Sequence, residues 1–173
     1  MSELVRIDVV DSVATLTMDD GKANALSHDM LTALASALEK ARTEAKAVVL
    51  TGRDGRFCAG FDLKVMMAGP AAAIALTSAG CDVLMRLYEH PQPVVAACTG
   101  HAMAGGALLL LCCDTRIGIE GEFRIGLNEV AIGMPLPVFA SELARERLRR
   151  NAFLRATLQG PGPRPSPALI TLP

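Results

Sequence analysis

Two continuous apolar runs, "AVVLT" at 47–51 and "PVVAACTG" at 93–100, narrow the choice of folds more than anything else in the chain. A strand with one face in water alternates apolar and polar residues, whereas uninterrupted runs of this kind suit strands covered on both faces. Such strands belong to parallel sheets, whose neighbours are joined by crossover connections, usually helices. Helical stretches stand where they are needed. Ser27 can cap a helix whose apolar positions Met30, Leu31, Leu34, Leu38 and Ala41 recur at helical spacing and which ends near Glu44. A second helix is predicted from Pro70 to about Glu89, with Pro91 and Pro93 excluding its continuation. The first run ends in the turn-rich "RDGRFCAGFD". The second leads through a loop to the helical "GGALLLLCC" and the strand "TRIGI". Ahead of all these, "VRIDVV" and "VATLTM", parted by Asp11 and Ser12, read as an antiparallel hairpin over residues 4–18. Strand, helix, strand, helix, strand is the order of an α/β fold.

With 173 residues, 51% of them hydrophobic, the chain can bury one core and has little room for a second. One domain is expected over 1–158. The last fourteen residues, "GPGPRPSPALITLP", hold five prolines and two glycines, so 159–173 is read as a disordered Pro-rich tail. Lys and Arg number 17 against 18 for Asp and Glu, which gives no general attraction for nucleic acid or an anionic membrane. No uninterrupted apolar run reaches the roughly 20 residues of a membrane span, and "MSELVRIDVV" lacks the basic and apolar regions of a secretion signal. Five irregularly spaced cysteines suit buried thiols rather than a disulfide framework. A cytoplasmic protein without nucleic-acid or membrane partners is expected.

Several chemistries lack their residues. "GHAMAGG" is not followed by the Lys-Ser/Thr of a phosphate-binding loop, and no G-x-G-x-x-G follows a strand. Cys98, His101, Cys112 and Cys113 fit no common metal spacing, and adjacent cysteines on a helix point about 100° apart, so no metal site is expected. His101 reads as a polar loop residue with no carboxylate placed beside it, and Cys58 as packing.

Two similar constructions remain. Each buried strand ends in small residues, "TGRDGRFCAGF" and "TGHAMAGGAL", before a following helix. Small residues let a ligand approach the main chain, and free N–H groups at a helix start favour negative charge. Two such turns facing each other would form an oxyanion hole; equally, the small residues would serve close strand–helix packing. Glu129 is the one carboxylate between Glu122 and Glu142, set among Ile125, Leu127, Val130, Ala131 and Ile132. Buried, it becomes a base with a raised pKa; on a half-buried segment it is simply a solvent-facing charge.

The motifs "KANALS", "FCAGFDL", "GHAMAGGALLLLCCD" and "IGLNEVAIG", in this order, resemble the crotonase (enoyl-CoA hydratase/isomerase) superfamily over about residues 1–158. The resemblance implies a spiral of β-β-α units that binds acyl-CoA thioesters and forms trimers or dimers of trimers, with no cofactor beyond the CoA of the substrate. It also implies that the N–H groups of Phe61 and Gly105 donate to the thioester oxygen and that Glu129 is the catalytic carboxylate. Ala59, Gly60, Asp62 and Leu63 then hold the turn beside the CoA. Lys22, Ala23, Ala25 and Lys64 resemble the pantetheine and phosphate contacts, and Leu108 and Asn128 lie on the substrate side.

Two departures shape the expected activity. Hydratases of the superfamily usually carry two glutamates, and the position matching the first is Leu108 here. Hydration needs one group for the water and another contribution for the α-carbon, whereas moving a double bond from C3 to C2 needs a single base and an oxyanion hole. The sequence therefore looks most like the Δ3,Δ2-enoyl-CoA isomerases; a hydratase using Glu129 alone, or a non-catalytic acyl-CoA binder or inactive remnant, are the alternatives. The second departure is that the resemblance fades at "LQG", where the family continues into further helices, so the chain reads as C-terminally truncated or frame-shifted.

Overall fold

The computed structural model describes residues 3–158; the Pro-rich segment 159–173 lies outside the described residues. β1 (Val5–Val10) and β2 (Val13–Met18) form the expected hairpin. Asp11 and Ser12 turn it with φ of 49° and 64°, the pair of left-handed residues that suits a two-residue hairpin turn. From β2 the sheet grows in parallel through β4 (Ala47–Thr51), β7 (Val94–Cys98) and β9 (Thr115–Gly118), giving the order β1-β2-β4-β7-β9. Leu16, Leu50 and Ala96, all buried, stand in register across its middle.

Each of the last three strands passes into a shorter one: β5 (Gly55–Cys58), β8 (Gly100–Met103) and β10 (Ile125–Gly126). These form a second sheet in the order β10-β8-β5, which repeats the order of their parent strands in the first. One strand in each sheet, then a helix, is the β-β-α spiral expected from the motifs. It also corrects two expectations. Residues 55–58 and 100–103 are strands rather than turn and loop, because short Gly-rich segments gain strand geometry from their neighbours and not from their own propensity. His101 accordingly lies in β8; its Nδ1 accepts the Arg124 N–H at 2.9 Å and its ring meets Phe123 edge-on.

Three helices pack together beside the sheets, the first of them on β1 and β2. α1 (His28–Glu44) is capped by Ser27 Oγ, which accepts the Met30 N–H, and buries Met30, Leu31, Leu34, Ala37, Leu38 and Ala41. α3 (Pro70–Tyr88) follows the one-turn α2 (Leu63–Met66), buries Leu76, Gly80, Val83, Leu84 and Leu87, and packs on α1 and on α4 (Gly105–Cys112). Among the described residues α3 is the one helix long and apolar enough to match a membrane span by length and composition, although Asp82 and Arg86 interrupt its apolar run. In α4 all eight residues are buried, as a helix apolar all round requires. α5 (Val138–Arg147) and α6 (Arg150–Leu158) close the described chain.

Candidate active site

The site is assembled where the chain after β5 passes the start of α4. There β3 (Ala25–Leu26) and β6 (Gly60–Phe61) form a two-stranded parallel ladder. Its frame is Asn24, a fully buried side chain whose Nδ2 donates toward the carbonyls of Met18, Arg56 and Phe57 at 2.9, 3.1 and 3.2 Å. The Asn24 Oδ1 accepts the Asp20 N–H at 3.0 Å, and the Asp20 carboxylate accepts the N–H groups of Lys22, Asn24 and Ala25. Side-chain bonds to main chain, rather than apolar burial, thus hold the loop that sets β3 against β6. The sequence does not single out Asn24: nothing in a polar loop residue announces carbonyls 32 and 33 residues further along the chain.

Successive amides of a strand point to opposite edges. The Asp62 N–H donates across the ladder to the Leu26 carbonyl at 3.2 Å, so the Phe61 N–H faces the other edge, where no described strand pairs with β6. Gly60 is buried at φ 92°, and a β-carbon on it would lie 2.9 Å from Ala104 Cβ and 3.1 Å from the Gly105 nitrogen. β6 therefore abuts the start of α4. Ala104 reverses the chain there with φ 49° and ψ −117°, its N–H donating to the Gly126 carbonyl at 2.9 Å. The first helical bond runs from the Leu108 N–H to the Ala104 carbonyl, which leaves the Gly105 N–H among the helix's unpaired first-turn donors. Gly106 permits this approach, since a β-carbon on it would run into the Cys58 carbonyl.

Phe61 and Ala104 line a cleft of about 290 Å³ together with Ala59, Leu63, Leu108, Asn128 and Glu129. Glu129 precedes the single helical turn Val130–Ile132, and its carbonyl accepts the Met134 N–H at 2.9 Å. Its side chain is half-buried; Oε2, like Asn128 Oδ1, is buried without a hydrogen-bond partner among the described residues. Burial raises the Glu129 pKa above the ordinary carboxylate range, against the opposing pull of the main-chain amides of Glu129 and Asn128.

The other candidates lie outside the lining of this cleft. Asp62 caps α2, with Oδ1 accepting the Lys64 N–H at 2.9 Å. Ala23 and Ala25 are half-buried beside the ladder, and the Ala23 carbonyl accepts the Ala59 N–H at 3.0 Å. Lys22 and Lys64 are exposed and do not line the cleft. Cys58 is fully buried, its thiol pushed up to about 12 by burial, in keeping with packing. Cys98, His101, Cys112 and Cys113 do not form a metal cluster, and among the described residues no three His, Cys, Asp or Glu side chains gather to hold a metal ion.

The sequence profile of the enoyl-CoA hydratase/isomerase family matches residues 8–161. An enoyl-CoA hydratase/isomerase family protein from Pseudomonas syringae superposes with a TM-score of 0.88 at 47% identity, over 90% of this chain and 68% of that one. The human mitochondrial enoyl-CoA delta isomerase 1 is 33% identical over 162 residues, covering 91% of this chain and 54% of that protein. A probable enoyl-CoA hydratase from Bacillus subtilis is 33% identical over 140 residues, covering 79% and 54%. The chain thus spans about half the length of these two curated relatives. A profile match over most of the sequence, joined to the repeated β-β-α architecture, carries one conclusion: the chain belongs to the enoyl-CoA hydratase/isomerase family.

Proposed function

We propose that the chain isomerises 3-enoyl-CoA thioesters to 2-enoyl-CoA, with Glu129 as the one proton-carrying side chain. The observation that carries this reading is the buried, unpartnered Oε2 of Glu129 in a cleft shared with the apolar Leu108. In this mechanism the N–H groups of Phe61 and Gly105 donate to the thioester oxygen. Glu129 takes a proton from C2, and the electron pair left behind spreads onto that oxygen as a dienolate, where fixed main-chain dipoles stabilise it. The same carboxyl returns the proton at C4, and the double bond comes to lie between C2 and C3. No atom is gained or lost, and no cofactor is needed beyond the CoA of the substrate. Glu129's raised pKa makes its carboxylate a stronger base than an exposed one. Leu108 keeps water from the dienolate, while Lys22, Ala23, Ala25 and Lys64 accommodate the CoA. Trimeric association belongs to the same proposal and is supported by the resemblance alone.

One observation favours hydration of 2-enoyl-CoA as a second reading. Among the described residues Asn128 Oδ1 and Glu129 Oε2 are both buried acceptors without partners, and a water held by these acceptors would serve as nucleophile.

Glu129→Gln tests the main reading. Loss of a positioned general base lowers the rate roughly 10²–10⁴-fold, so isomerisation should fall by that much while the acyl-CoA Kd stays nearly constant. An unchanged rate would remove Glu129 from the mechanism. Acyl-CoA binding without turnover in the unsubstituted chain would leave the non-catalytic binder.

A further inference from the structure

Beyond the reacting end, the cleft lies between α2–α3 and the segment 134–137. Met66 and Ile74 stand on one side, Met134 and Pro135 on the other. Among the described residues Thr77 brings the one hydroxyl to this part of the lining, and it is directed at carbonyls of its own helix, at 2.8 Å to Ala73 and 3.1 Å to Ile74. An alkyl chain therefore meets no unsatisfied polar group there. Ile74 and Leu63 line the cleft and yet remain 65% and 59% exposed. The cleft is accordingly open to solvent beside Ile74, and covering Ile74 with a tail removes apolar surface from water.

We infer, resting on the reading that this cleft takes the acyl group, that it selects thioesters with medium and long acyl chains, and that Ile74 at its open end is a specificity-determining residue. The thioester carbonyl and C2–C4 occupy the end beside Glu129, and the apolar lining of Met66, Ala73, Ile74, Met134 and Pro135 continues past them, so the tail beyond C4 lies against apolar side chains. Longer tails continue over Ile74 into solvent without a clash. Each methylene buried should tighten binding about fourfold, from the free energy of burying one such group. The gain should stop where the tail leaves the cleft.

The experiment is calorimetric titration of the full chain with saturated butanoyl-, hexanoyl-, octanoyl-, decanoyl-, dodecanoyl- and hexadecanoyl-CoA, which bind without reacting. The expected Kd falls about fourfold per methylene past butanoyl-CoA until the tail leaves the cleft, and then levels off. In Ile74→Trp, a change at an exposed position, the indole narrows the exit, and dodecanoyl-CoA should weaken at least tenfold more than butanoyl-CoA. A Kd independent of chain length, or one that rises beyond hexanoyl-CoA, would overturn the inference, as would an Ile74→Trp chain with an unaltered series. Turnover of the matching 3-enoyl esters separates this from the isomerase reading. The binding series without turnover upholds the selectivity and removes the isomerase; turnover confined to the shortest esters with a flat binding series does the reverse.

Discussion

Gly60 and Gly105 meet so closely that a β-carbon on Gly60 would lie 3.1 Å from the Gly105 amide nitrogen, one of the two proposed oxyanion donors. The same β-carbon would stand 2.8 Å from the Met103 carbonyl oxygen, and the residue already sits at φ 92°. Holding a side chain in that backbone region costs on the order of 1–3 kcal/mol. Gly60→Ala should therefore lower unfolding stability by about that amount, and by forcing β6 away from α4 it should reduce kcat for isomerisation more than it changes KM. Urea denaturation and steady-state kinetics check the two parts. An alanine variant with full kcat would mean that the meeting of these two turns does not hold the thioester oxygen.

Asn24 makes a separate prediction about the frame. Removing its amide leaves the carbonyls of Met18, Arg56 and Phe57 without that donor, the first and last of them in buried surroundings. Asn24→Ala should cost about 2–4 kcal/mol, the range for breaking a buried hydrogen-bond network. Asn24→Asp should cost more, because a carboxylate brings negative charge against three carbonyl oxygens. Unfolding midpoints for the two variants test the order.

The raised pKa of Glu129 links stability to pH with a definite sign. Its folded pKa lies above its unfolded value, so the ionised carboxylate destabilises the fold. That penalty is absent below the unfolded pKa, grows as pH rises toward the folded pKa and is complete above it. Glu129→Gln removes it. The variant should melt higher than the unsubstituted chain at neutral pH, with the gain vanishing near about pH 4, around the ordinary glutamate value. Isomerisation should lose activity on the acid side at a pH above the ordinary carboxylate range. A melting difference that does not vary with pH would contradict the burial of this carboxyl.

What the sequence disclosed follows the physics of each element. α1 was legible to its cap, because Ser27 and a five-point apolar stripe are local signals. The hairpin and the strands at Ala47–Thr51 and Val94–Cys98 were legible from β-branched and apolar runs. β5, β6, β8 and β10 were not, being two to four residues long, rich in small residues and formed by pairing between distant segments. In the site, Glu129 stood out as a lone carboxylate in an apolar stretch, and its partial burial agrees with one of the two readings left open. Asn24 was hidden, since its function lies in contacts 32 and 33 residues away.

The most direct test of the proposed chemistry is one ratio, measured on the unsubstituted chain: the kcat/KM for converting a 3-enoyl-CoA to its conjugated 2-enoyl isomer, divided by the kcat/KM for hydrating that 2-enoyl ester. Leu108 brings no second carboxylate to the cleft, and a single base with two main-chain donors suffices for proton transfer between C2 and C4. The expected ratio is well above one, with 3-hydroxyacyl-CoA forming slowly by comparison. A ratio below one would contradict it, and would assign the unpartnered oxygens of Asn128 and Glu129 to holding the attacking water.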